Sequence, residues 1–126
     1  MPKHPVTPPA RDAFLLYVRH WQERLGLLDW RIVVSAKPAA KAHMAEVASM
    51  DLAARLASLR LGADFGSVPV GDASLEELAL HEVLHVFLHE LIECCRDDDV
   101  PADVVASVEH RVIHLLCRLL AGGSSE

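Results

Sequence analysis

The chain has 126 residues, 52% of them apolar and 24% charged, which predicts one globular domain over residues 1–126. A net charge of −6 disfavours a nucleic-acid surface, because such surfaces carry clustered lysine and arginine. No apolar run approaches the roughly 20 residues that cross a bilayer, and the opening MPKHPVTPPARD lacks the apolar segment of a signal peptide. We therefore expect a cytoplasmic protein with no nucleic-acid or membrane partner.

The first predicted element is a helix that follows a proline-rich arm. Four prolines in the first nine residues predict a flexible arm over residues 1–9. Apolar residues then recur at spacings of three and four from residue 10 to residue 25, and Gly26 is a suitable helix stop.

Three β segments are predicted next. WRIVVS, residues 30–35, is dense in β-branched residues and predicts a strand that ends before Pro38. The alanine-rich residues 39–61 alternate in parts, and we interpret them as a hairpin with its turn near Asp51. Helix propensity favours a single helix over the same residues, and that alternative stays open.

A second helix is predicted from Ser74 to about Cys95, after a loop over residues 62–74 that is rich in glycine and aspartate. Ser74 and Glu77 have the spacing of a capping box, which places the start of the helix at Ser74.

The second helix contains LALHEVLHVFLHE, in which His81, Glu82 and His85 have the spacing H-E-x-x-H. The two histidines are one turn apart, so both imidazoles reach a single ion from the same side. The carboxylate between them is suited to act as general base toward a zinc-bound water. We therefore predict Zn²⁺ bound by His81 and His85, with Glu82 as the catalytic base. His89 lies about 5.4 Å further along the axis, so we expect it at the rim of the site.

A third zinc ligand is predicted on the last helix, which starts at Pro101 and reaches about Leu120, before a tail over residues 121–126. Glu109 falls within the apolar stripe of this helix, where a carboxylate is costly unless it is paired or binds a metal. We expect Glu109 to face inward as the ligand, with His110 as the alternative. Pairing of Glu109 with an arginine would remove that assignment, and the candidate partners are Arg31, Arg55 and Arg60.

An H-E-x-x-H helix followed one helix later by an inward-facing glutamate resembles the glutamate zincins, or gluzincins. LGLLDWRIVV, HEVLHVFL and VEHRVIHLL also resemble small metallopeptidases of bacteriophages and prophage-bearing bacteria, over about residues 14–120. The resemblance implies an α+β fold of minimal zincin type, with an N-terminal helix, a small mostly antiparallel sheet, an active-site helix and a C-terminal glutamate helix. It implies His81, His85 and Glu109 as Zn²⁺ ligands, Glu82 as general base, and a protein or peptide substrate.

Two parts of the resemblance stay open. The sequence has no Asn-Glu-x-x-Ser-Asp-type motif around Glu109, and spacing assigns no residue to stabilise the oxyanion. In zincins an edge strand holds the substrate backbone by strand addition, and we expect that strand within residues 53–61. The candidates for the oxyanion stabiliser are Tyr17, His110, Arg111 and His114.

Two other functions compete with peptide hydrolysis. One is a zinc-stabilised regulatory or interaction module of phage or prophage origin, which binds a partner protein without cutting it. The other is an all-helical interaction protein whose histidines and glutamates are coincidental. Stoichiometric zinc would exclude the second, whereas the sequence determines neither the substrate nor the oligomeric state.

Overall fold

The architecture is that of a computed structural model, which describes residues 3–41 and 43–121. Three helices and a small sheet give an α+β arrangement, as the sequence predicts at this level. In chain order the elements are α1 (Pro8–Arg24), β1 (Arg31–Val34), β2 (Ala45–Asp51), β3 (Leu56–Leu61), α2 (Asp72–Arg96) and α3 (Ala102–Leu120).

The sheet has the strand order β1-β3-β2. β2 and β3 form the predicted antiparallel hairpin, so the alternative of a single helix over these residues is wrong. β1 pairs in parallel with β3, from Arg31 opposite Leu56 to Val34 opposite Leu59. The sheet is therefore mixed, whereas the prediction was mostly antiparallel. The difference arises because β3, and not β2, lies next to β1. β3 runs in the same direction as β1 and opposite to β2.

One face of the sheet packs against the helices. Ala57, Leu59 and Leu61 alternate inward along β3, as the two-residue period of a strand requires, and all three are fully buried. Phe14 of α1 and Val83 of α2 are likewise fully buried and belong to the same apolar cluster. α2 contacts both α1 and β2, and these contacts determine which side of α2 meets solvent.

The N-cap of α2 lies three residues earlier than predicted. Gly71 is the N-cap residue, and Ser74 lies three positions further on. The Ser74 hydroxyl accepts a hydrogen bond from the Gly71 N–H at 3.1 Å and donates one to the Pro69 carbonyl at 2.9 Å. Ser74 therefore contributes to capping as the third residue of α2 and not as its N-cap residue. In the same way Pro101 is the N-cap of α3 and not its first helical residue.

Backbone hydrogen bonds join the proline-rich arm to a distant loop where the structure describes it, while its flexibility stays a prediction. The Val6 N–H donates to the Ala63 carbonyl at 2.9 Å, and the Phe65 N–H donates to the His4 carbonyl at 2.9 Å. α1 then begins at Pro8. Pro8 and Pro9 fit the first turn of α1, where a proline needs no N–H partner, and the residues before them pair with this distant loop. The predicted tail lies, from residue 122 onward, outside the described residues.

Among the residues that the structure describes, no helix combines the length and the apolar character needed to cross a bilayer.

Candidate functional site

The H-E-x-x-H motif lies in the middle of α2, on the boundary between its buried and exposed sides. His81 and His85 are exposed, and their ring centroids lie 5.0 Å apart with the ring planes at 75°. Glu82 follows His81 by one residue, about 100° further around the helix, and is only 4% exposed. One turn of helix therefore presents two accessible imidazoles beside one buried carboxyl group.

The environment of Glu82 changes its acid–base behaviour. Burial raises the pKa of the Glu82 carboxyl above its usual value of 4.5, while the charges of His81 and His85 oppose that rise. The carboxylate of Glu46 raises the pKa of Glu82 further, and His43 lowers it. A carboxyl group whose pKa is moved toward neutrality is better suited to accept and return a proton than an exposed one. The base predicted from the sequence therefore lies in a suitable environment.

A cleft of about 650 Å³ separates the motif from strand β2. One side of the cleft comes from α2. The opposite side comes from β2 and from His43, which precedes β2. The lining residues are His43, residues 45–50, His81, Glu82, His85 and His89. The motif thus faces an open groove and not the protein interior.

β2 is an edge strand, since within the part of the chain that the structure describes it pairs with β3 on one side only. Its register against β3 shifts between Val47 and Ser49, which leaves Ala48 as the extra residue of a bulge. β3 is paired on both sides and has no free backbone edge. The prediction that residues 53–61 provide a substrate-binding edge is therefore wrong, and the strand beside the cleft is β2.

His89 lines the same cleft one turn beyond His85. Its ring meets the buried Trp30 edge-on, with the centroids 6.3 Å apart and the planes at 79°. The guanidinium of Arg55 lies 5.8 Å from the centroid of the same indole. The rim position predicted for His89 agrees with this arrangement, in which the imidazole packs against an aromatic partner.

Glu109 does not face inward, which corrects the expectation from the apolar stripe of α3. Glu109 and its neighbour His110 are both exposed, and the buried residues of α3 are Val108 and Val112. Neither Glu109 nor His110 is among the residues that line the cleft. The buried stripe of α3 is narrower than predicted, since Val105, Leu116 and Leu119 are only partly buried.

Two of the three arginines proposed as rival partners of Glu109 pair with other carboxylates. Arg55 pairs with Asp29 at 3.8 Å and with Glu90 at 3.3 Å. Arg60 pairs with Glu46 at 3.7 Å, across neighbouring strands. These ion pairs hold the ends of the sheet, and one of them lies beside the cleft.

None of the four residues proposed for the oxyanion lines the cleft: Tyr17, His110, Arg111 and His114. Arg111 instead donates a hydrogen bond to Glu90 at 2.6 Å. The residue that sequence reasoning missed is His43, which precedes the edge strand and lines the cleft opposite α2. Its only signal in the sequence was a lone histidine in an alanine-rich segment, and that gave no reason to connect it with α2.

The donor set fits a metal ion in part. Two imidazoles one turn apart are the pair that a tetrahedral zinc ion takes from a helix. Within residues 3–41 and 43–121, however, no group of three His, Cys, Asp or Glu side chains has the geometry to hold an ion. The nearest further carboxylate in the cleft is Glu46, which already accepts a hydrogen bond from the Ala40 N–H at 3.3 Å.

We compared the chain with protein families, with curated proteins and with solved structures. No family model, curated protein or solved structure matches it.

Proposed function

We propose that this protein is a small zinc-dependent peptidase, in which His81 and His85 bind the metal and Glu82 is the general base. The observation that carries the proposal is the placement of a buried carboxyl group beside two accessible imidazoles at the floor of an open cleft. Burying a carboxyl group is unfavourable unless it is hydrogen-bonded or paired. A metal-bound water would supply a hydrogen-bond partner for Glu82.

Each residue has a defined task in this mechanism. Bound zinc would lower the pKa of a water ligand and polarise the carbonyl group of the substrate. Glu82 accepts the proton of the attacking water and returns it to the nitrogen of the leaving amine. The raised pKa of Glu82 supports both steps, because the group must hold the proton between them.

We propose that the substrate is a protein or peptide bound in extended form along β2. An edge strand offers unpaired backbone N–H and C=O groups, which an extended peptide can pair by strand addition. β2 has this free edge and forms a wall of the cleft above Glu82. On the basis of this arrangement of helix and edge strand, we also propose that the fold is zincin-like. The cytoplasmic location stays a prediction.

Two carboxylates compete as the third zinc ligand. Glu109 is the ligand that the resemblance to gluzincins implies, but it lies exposed on α3 and outside the cleft. Glu46 is the competing carboxylate, because it lines the cleft near Glu82. Metal content of the Glu109→Ala and Glu46→Ala variants decides between them, since loss of the true ligand lowers zinc occupancy.

The main experiment combines zinc content with peptide hydrolysis. Zinc is measured by inductively coupled plasma mass spectrometry after zinc loading and gel filtration, and cleavage is measured on a proteome-derived peptide library by mass spectrometry. The parent should hold one zinc per chain and cleave peptides, and Glu82→Gln should keep zinc but lose cleavage. The double variant His81→Ala/His85→Ala should lose both.

The matched control is His110→Ala/His114→Ala, which removes a second pair of histidines four residues apart, exposed on α3. It should keep both zinc and cleavage. A parent without zinc overturns the proposal. A parent with zinc but without cleavage leaves the non-catalytic zinc module, and equal cleavage by Glu82→Gln removes Glu82 as the base.

A further inference from the structure

His43 occupies a fixed position at the mouth of the cleft. The residue lies two positions before β2, and its backbone N–H donates to the Ala40 carbonyl at 2.8 Å. The side chain is exposed and lines the cleft, with the H-E-x-x-H residues on the opposite wall. It is therefore open to a bound substrate, while its backbone is held by a turn.

Gly62 explains how this position is maintained. A Cβ atom at residue 62 would lie 2.9 Å from the His43 carbonyl oxygen and 3.1 Å from that of Met44. The Gly62 N–H donates to the Met44 carbonyl at 2.7 Å, which draws the two segments together. Only glycine permits so close an approach, so the end of β3 sets the place of His43 relative to the cleft.

His43 lines the same cleft as Glu82, from the side of β2. The described residues contain no group of three side chains with ion-holding geometry, and His43 lines the side of the cleft opposite His81 and His85, so we do not assign it to the metal. His43 instead lies on the side of the cleft that β2 forms. A peptide bound along β2 would have its carbonyl groups on that side.

We propose that His43 donates a hydrogen bond to the carbonyl oxygen of the scissile peptide bond as that oxygen gains negative charge. The inference rests on the proposed peptidase function. Attack by water forms the new C–O bond and moves the carbonyl π electrons onto the oxygen. The imidazole N–H stabilises that charge without giving up its proton, and the C–N bond then breaks as Glu82 protonates the amine.

The test compares His43→Ala and His43→Asn with the parent on one peptide from the library that the parent cleaves. Loss of an oxyanion donor usually lowers kcat by about 10²- to 10³-fold, so we expect a fall of that size in His43→Ala. KM should change little, because the bond strengthens only in the transition state. His43→Asn retains an N–H donor and should recover part of the lost kcat.

Three readouts keep this inference separate from the proposed function. Zinc content should be unchanged in His43→Ala, and loss of zinc would overturn the inference by making His43 a ligand. His20→Ala, exposed on α1, is the matched control and should retain full activity. A parent that cleaves while His43→Ala cleaves equally fast overturns only the role of His43. A parent that neither binds zinc nor cleaves overturns both proposals.

Discussion

Arg111 on α3 donates a 2.6 Å hydrogen bond to the Oε1 atom of Glu90 on α2. The same oxygen accepts a hydrogen bond from Arg55 at 3.3 Å, from the turn before β3. A single carboxylate thus ties α3 and the sheet to the helix that carries the candidate metal site. Because Arg111 is 56% exposed, water and salt screen much of this interaction.

Arg111→Met should therefore lower the free energy of unfolding by no more than about 1 kcal/mol. A double-mutant cycle with Glu90→Gln, followed by urea denaturation, isolates the pair. We expect a coupling energy of about 0.5 to 1 kcal/mol that shrinks in 1 M salt. Arg19→Met removes another exposed arginine, on α1, and should cost less. Zero coupling would mean that the bond does not hold α3 in place.

Zinc should stabilise the folded chain if His81 and His85 bind it. A ligand at about 100 times its Kd adds roughly 2.7 kcal/mol, which for a chain of this size raises Tm on the order of 10 °C. Thermal unfolding with zinc and with the chelator EDTA measures this difference. His81→Ala should remove most of the shift, while His20→Ala, exposed on α1, should retain it. A shift that persists in His81→Ala would place the zinc elsewhere.

Glu82→Gln should stabilise the metal-free protein at neutral pH. Burial raises the pKa of Glu82 above 4.5 in the folded state, so ionisation is harder there than in the unfolded chain. Below pH 4.5 both states are protonated and the variant gains nothing. As pH rises from 4.5 through the folded pKa, the parent loses stability relative to the variant, and above that pKa the gain is constant.

We expect the gain at neutral pH to be about 1 to 3 kcal/mol, the cost of a buried polar group without full compensation. Urea denaturation in the presence of EDTA, repeated across pH, measures it. Glu77→Gln provides the control, because Glu77 is exposed on the same helix. A gain that was the same at every pH would show that ionisation of Glu82 is not its cause.

Gly62→Ala should destabilise the protein through its contact with the turn before β2. The added methyl group would lie 2.9 Å from the His43 carbonyl oxygen. Because this is a backbone atom, the clash cannot be relieved by rotation of a side chain. Overpacking of this kind typically costs about 1 to 3 kcal/mol. Gly71→Ala places a methyl group in open space and should cost less. If both substitutions had the same effect, Gly62 would not hold His43 in place.

Some of this molecule is readable from short stretches of sequence. The three-and-four spacing of apolar residues predicts α1, α2 and α3 to within a few residues, and the H-E-x-x-H spacing predicts the His81–His85 pair. The alternation in residues 39–61 predicts a hairpin against the helix propensity of its alanines. Each of these features depends on neighbours within one or two turns, so a local pattern suffices.

The sequence by itself therefore determined the helices, the hairpin and the side of α2 that carries the motif. Only the tertiary structure decided that β2, and not β3, forms the free sheet edge beside the cleft. It also decided that Glu109 is exposed and that His43 lines the cleft. The physical reason is that these three features depend on contacts between segments far apart in the chain. Packing between distant segments determines the strand order, the burial of α3 and the close approach at Gly62. Such contacts leave no periodic pattern in the sequence.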